Sequence, residues 1–118
     1  MMMKKVLNAV KKAEHILVTT HVHPDPDALC SQLSFAILLR SLGKKVYLVN
    51  EEEVPRRYLF LPGANRIKGV KQIKKRKYDL AVILDCGDLG RIGLTQEAFS
   101  CETKIVNIDH HVTNKKFG

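Results

Sequence analysis

The sequence lacks a long hydrophobic run, since its uninterrupted apolar stretches are only a handful of residues long. A membrane-spanning helix needs about 20 consecutive, mostly apolar residues. The first residues, MMMKKVLNAVKK, also lack the apolar segment and cleavage site of a secretion signal. We therefore expect a cytoplasmic protein that does not associate with membranes.

Cysteine is scarce and irregularly placed. Cys30, Cys86 and Cys101 show no C-x-x-C spacing, which excludes a zinc knuckle and an even disulfide framework and predicts reduced thiols. The chain has 118 residues, 45% hydrophobic and 27% charged. This length and composition are those of one small globular domain.

Acidic residues are outnumbered, and the formal net charge is +8. Such an excess favours polyanionic partners such as nucleotides, RNA or DNA. Much of it lies in the run KQIKKRK, Lys71 to Lys77. Because no aromatic residue is interleaved there to stack on bases, a solvated surface is a somewhat better interpretation than a dedicated binding patch.

Two helices are predicted in the first part of the chain. Met3, Val6, Leu7 and Val10 recur at helical spacing opposite lysines, which predicts an amphipathic helix. A second helix opens at Asp27 or a neighbour, with Asp27 a suitable N-cap. It runs to about Leu42, before Gly43 as the C′ residue. Its apolar residues lie on most sides, which predicts cover by protein.

Four strands are predicted around these helices: HILVTT (15–20), KVYLVN (45–50), YDLAVILD (78–85) and KIVNID (104–109). Short helices are expected near Arg56 to Leu61 and in LTQEAFS. The nearly unbroken apolar run of the third strand is typical of a parallel strand buried on both faces. Alternating strands and helices predict an α/β fold, a doubly wound and mainly parallel sheet with helices on both faces.

Histidines and aspartates follow the ends of three predicted strands. The stretch HVHPDPDA brings His21 and Asp25 after the first strand, Asp85 ends the third, and DHH (109–111) ends the fourth. Carboxyl ends of parallel strands share one edge, where such folds bind ligands. We therefore expect these residues to meet in one crevice.

Clustered carboxylates repel one another unless they are protonated or neutralised by cations. Carboxylate and imidazole ligands together suit Mn²⁺ or Mg²⁺, with Zn²⁺ and Fe²⁺ as alternatives. Two such ions about 3.5–4 Å apart can activate water and stabilise attack at phosphorus. Each motif alone has a structural explanation, such as a surface histidine, a helix cap or a strand-end turn. Their joint position at strand ends favours the metal site.

The motifs HVHPDPDA, DCGDLGR and DHHVTN resemble, in order, the first three motifs of the DHH phosphoesterase superfamily. The stretch NEEEVPRRYLFLPG (50–63) resembles the branch of bacterial oligoribonucleases that also dephosphorylate 3′-phosphoadenosine 5′-phosphate (pAp). The resemblance covers about His15 to Gly118. It implies a Rossmann-like domain and a phosphoesterase that uses two Mn²⁺ ions, or another divalent metal, on short RNA or DNA oligonucleotides or on pAp.

The resemblance also implies roles for single residues. His21 and Asp25 are expected to bind one metal, Asp27 and His110 the second, and Asp85 both. His111 would face the substrate phosphate and Asp109 would orient the histidine pair. Arg91 would meet a phosphate, although a surface ion pair is nearly as good an interpretation. The remaining motif residues are Asp88 and Asn114.

The sequence departs from the family pattern at both ends. His23, Pro26 and Cys30 replace the usual asparagine, glycine and glycine, which alters local packing without removing a ligand. Only 112–118 follow the third motif, whereas the family continues with a fourth-motif aspartate and a C-terminal substrate-binding domain. We expect an N-terminal part of a catalytic domain (1–118), weakly active alone, whose exposed strand edge favours a homodimer.

Other functions are weighed against this one. A dinucleotide-binding domain would need G-x-G-x-x-G, whereas the glycines here are spaced G-x-x-G-x-x-G. A serine hydrolase lacks its G-x-S-x-G elbow. The remaining alternatives are a DHH enzyme acting on pyrophosphate or cyclic dinucleotides, and a non-catalytic nucleic-acid-binding module.

Overall fold

Two α-helices and five strands are present in the part of the chain that the computed structural model describes, residues 2–21, 24–73, 77–84 and 103–108. The helices are α1 (Met2–Lys12) and α2 (Pro26–Ser41). The strands are β1 (His15–Thr20), β2 (Lys45–Asn50), β3 (Lys68–Gly69), β4 (Leu80–Leu84) and β5 (Lys104–Ile108). Three 3₁₀ turns, Arg56–Tyr58, Ala64–Arg66 and Val70–Gln72, lie between β2 and β4.

The strands form one sheet in the order β3-β2-β1-β4-β5, and every neighbouring pair is parallel. β1 is the central strand of the sheet. The next two strands along the chain, β2 and β3, lie on one side of it, and β4 and β5 lie on the other side. This two-directional winding confirms the predicted α/β fold class.

Both faces of β1 and β4 are covered. On one face Ile16 and Val18 pack with Leu29 of α2 and with Val82 of β4. On the other face a second cluster contains Leu17, Val49, Tyr78 and Ala81. This two-sided burial explains why these strands read as continuous apolar runs.

Helix α1 is amphipathic as predicted, with Val6 and Val10 packed in the core, but the prediction that Leu7 belongs to the covered side is wrong, since Leu7 is 50% exposed. The carboxyl end of α1 is closed by a lysine from elsewhere in the chain. Lys44 Nζ donates to Lys11 O at 3.1 Å and to Ala13 O at 2.8 Å. An ammonium at this end complements the negative end of the helix dipole. One side chain thus joins α1 to the turn that precedes β2.

Helix α2 ends as predicted but is less covered than expected. Its cap residue is Leu42, and Gly43 adopts the left-handed conformation at φ 81°. Leu29, Leu33, Ala36 and Leu39 are buried against the sheet. Its outer face is open: Ile37, Leu38 and Leu42 are exposed by 68%, 53% and 57%.

The connection from β2 to β4 differs from the sequence prediction. The helix expected over 56–61 is a 3₁₀ turn of three residues, and β3 was not predicted. A Cβ atom at position 69 of β3 would lie 3.2 Å from Glu53 N, so a residue larger than glycine would require the main chain at Glu53 to shift. The helix expected in LTQEAFS lies outside the described residues. No helix within the described ranges is long and apolar enough to cross a membrane.

The amino-terminal edge of the sheet is held by side chains that bind the main chain. Asp79 Oδ2 accepts from His15 N at 2.8 Å and from Glu14 N at 2.9 Å. These two hydrogen bonds lower the pKa of the Asp79 carboxyl. Thr103 Oγ1 donates to Tyr78 O at 2.9 Å. The starts of β1, β4 and β5 are therefore joined at this edge.

Candidate functional site

Three strand ends meet at the carboxyl edge of the sheet. Thr20 of β1 is paired with Leu84 of β4, which is paired with Ile108 of β5. Thr20 Oγ1 also donates to Leu84 O at 2.8 Å, which fixes the ends of β1 and β4 to each other. The ends of β1, β4 and β5 therefore lie at the same edge of the sheet.

In the sequence, the residues that directly follow these ends are His21, Asp85 and Asp109. His21 is half-buried. Asp85 and Asp109 lie outside the described residues, as do His23, Asp88, Arg91, His110, His111 and Asn114. The strand ends meet as the sequence predicts, and the arrangement of side chains at the site stays a prediction.

Asp25 is the N-cap of α2. Its backbone is extended (φ −80°, ψ 172°) and its Oδ1 accepts from Ala28 N at 2.8 Å. Pro26 occupies the first helical position, where proline is favoured because that position has no helical partner for its N–H. The prediction that Asp27 is the cap is therefore wrong. Asp27 lies in the first turn of α2, where its negative charge interacts favourably with the helix dipole.

The described residues supply only part of a metal site. Within them, no three His, Cys, Asp or Glu side chains are grouped so that they could hold a metal ion. His21, Asp25 and Asp27 would therefore need further ligands, such as the predicted Asp85 and His110. The donor types do fit, because imidazole and carboxylate suit Mn²⁺ or Mg²⁺. Asp25 also keeps its second carboxylate oxygen outside the capping hydrogen bond.

An open cleft lies beside His21 at this edge. Its walls come from the loop after β1 and from the residues at and after the end of β2: His21, Pro24, Asn50, Glu51, Glu52, Glu53 and Pro55. The three glutamates make this wall acidic, which favours a cation over an anion. Gln72 Nε2 donates to Glu53 Oε1, and Gly69 N donates to Gln72 Oε1 at 2.8 Å. One wall is thereby joined to β3.

Two buried amide side chains lie at the cleft, and one of them, Asn50, is part of its lining. Gln32 of α2 is fully buried and Asn50 is 3% exposed. Gln32 Nε2 donates to Asn50 Oδ1 at 2.8 Å, and Asn50 Nδ2 donates to Gln32 Oε1 at 3.1 Å. Gln32 Nε2 also donates to Val18 O at 2.9 Å, and Thr19 Oγ1 donates to Asn50 Oδ1 at 3.3 Å. This group, which we call the amide floor (Thr19, Gln32, Asn50), joins α2 to the ends of β1 and β2.

Sequence reasoning missed the amide floor and the acidic wall. A glutamine on an otherwise apolar helix face is a signal for a buried hydrogen bond. The partner of Gln32 lies 18 residues away at Asn50, and no local pattern identifies it. The three glutamates entered the sequence analysis as part of the stretch NEEEVPRRYLFLPG (50–63), without a role in lining a cleft.

The family model for the DHH family, N-terminal domain, matches residues 15–118. The chain belongs to the DHH family. It is 36% identical over 118 residues to the bifunctional oligoribonuclease and PAP phosphatase NrnA of Thermus thermophilus, covering 98% of this chain and 34% of that protein. It is 22% identical to the NrnA of Bacillus subtilis, covering 99% of this chain and 36% of that protein. This chain thus spans about a third of the length of the curated relatives it matches.

A solved structure has the same fold. The exopolyphosphatase-related protein from Bacteroides fragilis matches with a TM-score of 0.84 at 24% identity, covering 97% of this chain and 36% of that protein. The likeness shows that the two proteins share one fold over this region.

Proposed function

We propose that this DHH domain contributes a metal-dependent active site that hydrolyses short oligonucleotides, pAp or both. The observation that carries the proposal is the meeting of three strand ends at one edge, each followed in sequence by a histidine or an aspartate. The names of the relatives support the substrate class, since both are oligoribonucleases and PAP phosphatases.

The metal ligands in this proposal are His21, Asp25, Asp27, Asp85 and His110. Two divalent cations, preferably Mn²⁺ and alternatively Mg²⁺, would lower the pKa of bound water and neutralise negative charge on the phosphate. Asp25 serves two purposes here, because Oδ1 caps α2 while Oδ2 is available to a cation. The helix cap thereby holds the carboxylate in one orientation.

The remaining proposed roles belong to residues of the second and third motifs. His111 contacts the substrate phosphate and Arg91 binds the same group through its guanidinium. Asp109 orients the two histidines by accepting a hydrogen bond. The amide floor fixes the end of the strand that precedes His21, since it joins β1 to α2.

Calorimetry with Mn²⁺ tests the site independently of turnover. We expect the wild-type chain to bind Mn²⁺, and Asp85→Asn to bind it at least tenfold more weakly because a shared ligand is lost. Equal binding by both proteins would contradict the role of Asp85. His111→Ala should keep metal binding, whereas His110→Ala should lose it, and the reverse pattern would mean that the two roles are exchanged.

Asp25 allows the cap and the metal ligand to be separated. Serine caps a helix about as well as aspartate but has no carboxylate. Asp25→Ser should therefore keep the stability of the chain and weaken Mn²⁺ binding. Asp25→Ala should weaken both, with a stability loss of about 1 kcal/mol. Unchanged Mn²⁺ binding in both variants would leave Asp25 as a helix cap only.

The enzymatic alternatives differ in substrate. Release of products from oligonucleotides, pAp, pyrophosphate and cyclic dinucleotides in the presence of Mn²⁺ would rank them, with the NrnA of Thermus thermophilus as the positive control. A non-catalytic nucleic-acid-binding module would bind oligonucleotides and release nothing from any of them. The homodimer and the cytoplasmic location stay predictions, the first testable by sedimentation.

A further inference from the structure

A large apolar ring is exposed five residues after Pro55, which lines the cleft. Phe60 is 75% exposed, the highest value among the large apolar side chains of the described residues, and Leu59 beside it is 46% exposed. Both belong to the segment 55–67, which we call the Phe60 turn. Its first residue, Pro55, lines the cleft together with His21. The exposed ring therefore belongs to a segment that starts at the candidate site.

The Phe60 turn is anchored on both sides of the ring. Tyr58 and Leu61 are partly buried and pack against the main core. Tyr58 N donates to Pro55 O at 2.9 Å and Leu61 N donates to Tyr58 O at 3.1 Å. Gly63 takes the left-handed conformation, φ 85°, against Leu33 of α2. The exposure of Phe60 is thus set by ordered turns.

Positive charge accompanies the ring. Arg56, Arg57 and Arg66 are all exposed and flank Phe60 in the sequence. The guanidinium carbon of Arg57 lies 4.7 Å from the centre of the Tyr58 ring, so this cation also rests on an aromatic face. The cleft wall at 51–53 is acidic, whereas the Phe60 turn is basic and aromatic. The two neighbouring surfaces suit different parts of one ligand.

We propose that Phe60 is a stacking platform for a nucleobase and that the arginines of the Phe60 turn bind the phosphates of the same strand. Aromatic rings beside cations are the surface that single-stranded nucleic acid uses, because every base has a face that can stack. The inference rests on the proposed function, and it specifies the substrate class as a single strand of two or more nucleotides. The exposed apolar side chains of α2, Ile37 and Leu38, lie near the exposed Arg40 but include no aromatic ring that could stack on a base, so the same argument does not apply there.

Binding should be measured by fluorescence anisotropy in the presence of a chelator, so that the metal site does not contribute. The probes are a labelled short single-stranded RNA and an abasic strand with the same number of phosphates. We expect the wild-type chain to bind the RNA more tightly than the abasic strand. Phe60→Ala should weaken RNA binding about 5- to 100-fold, the range of base–aromatic stacking, and leave the abasic strand unchanged.

Matched variants separate stacking from charge and from lost stability. Phe60→Trp should keep RNA binding, and Ile37→Ala, which removes an exposed apolar group from α2, should not change it. Arg56→Ala and Arg66→Ala should weaken both probes equally and reduce the salt dependence of binding. Melting temperatures of all variants establish that each protein is folded.

Two outcomes would overturn the platform. One is equal binding of RNA and abasic strand by the wild-type chain. The other is unchanged RNA binding by Phe60→Ala together with a shift in sedimentation, which would assign the ring to contact between copies. Mn²⁺ calorimetry on the same proteins tests the phosphoesterase proposal separately. Base-dependent binding by a chain that takes up no Mn²⁺ would remove that proposal and retain the platform.

Discussion

The two edges of the sheet are held together by different chemistry. At the amino edge an exposed carboxylate, Asp79, accepts from main-chain N–H groups of the chain segment that enters β1. At the carboxyl edge the amide floor is buried, and Gln32 and Asn50 pair with each other through two hydrogen bonds. The hydrogen bonds of Asp79 lie where water is available. At the carboxyl edge the amides of Gln32 and Asn50 are buried, so water cannot replace a hydrogen-bond partner that is lost.

This difference indicates where each edge tolerates change. An exposed hydrogen-bonding group that loses its partner binds water instead, so the net loss is small. A buried amide that loses its partner costs about 1–3 kcal/mol. Substitutions of the buried amides at the carboxyl edge should therefore lower the free energy of unfolding more than substitution of Asp79 at the amino edge.

The largest effect is expected from Gln32→Leu. Leucine has a similar size but leaves Val18 O and Asn50 Nδ2 without their described partner. We expect the free energy of unfolding to fall by about 2–4 kcal/mol, measured by urea unfolding followed by circular dichroism. Gln72→Leu is the matched control, since Gln72 also uses both its amide nitrogen and its amide oxygen in hydrogen bonds but is exposed. Its loss should stay below about 1 kcal/mol.

A double variant sharpens this result. In Gln32→Leu/Asn50→Leu both amides are gone, so their mutual hydrogen bonds are no longer half-made. The double variant should lose clearly less than the sum of the two single losses. Additive losses would show that the two amides do not depend on each other, and the contrast between the edges would fail.

A smaller effect is expected from a matched pair of threonines. Thr20 and Thr103 are buried at opposite edges, and each donates to a main-chain carbonyl, Leu84 O and Tyr78 O respectively. Replacement of either by valine should lower stability by about 1 kcal/mol. Only Thr20→Val should also weaken Mn²⁺ binding in calorimetry, because Thr20 precedes His21. Equal Mn²⁺ affinity in both variants would show that the hydrogen bond between the ends of β1 and β4 does not position the metal ligands.

The smallest effect is expected from Asp79→Asn and depends on pH. Hydrogen bonds from His15 N and Glu14 N lower the pKa of Asp79 in the folded chain. The stabilisation is therefore present above the unfolded pKa, near pH 4, and is lost as the pH falls through the lower folded pKa. Urea unfolding should show the variant less stable than wild type at pH 7, and the gap should close by pH 2. A gap of constant size would mean that the charge of Asp79 is not involved.

Much of the fold was predictable because short apolar runs that alternate with helical patterns are typical of a parallel α/β sheet. The predicted bounds of β1 and β2 match the structure, and α2 differs from its predicted bounds by one residue at each end. β4 begins two residues later than predicted and β5 begins where predicted. α1 was predicted without bounds. β3 was missed because a strand of two residues has no periodicity. The open outer face of α2 was missed because apolar content predicts burial without saying which side is covered.

The site was predictable in outline only. Asp25 and Asp27 are both good caps, and Pro26 between them was the available signal that the cap comes first. The amide floor depends on a contact between α2 and the end of β2, which the topology creates and no local pattern records. The role of Phe60 could not be inferred from sequence, because an apolar residue in a turn gives no indication of its exposure.

The central position of β1 has a consequence for the order in which the domain folds. β1 pairs with β2 through residues 30 positions apart, as in His15 and Lys45, and with β4 through residues 64 positions apart, as in Ile16 and Leu80. Closing the shorter loop loses less chain entropy, so β1, α2 and β2 are expected to assemble before β4 joins. The amide floor lies wholly within this early unit, whereas the Thr20–Leu84 hydrogen bond does not. Weakening the amide floor should therefore slow folding, and removing the Thr20–Leu84 hydrogen bond should mainly speed unfolding.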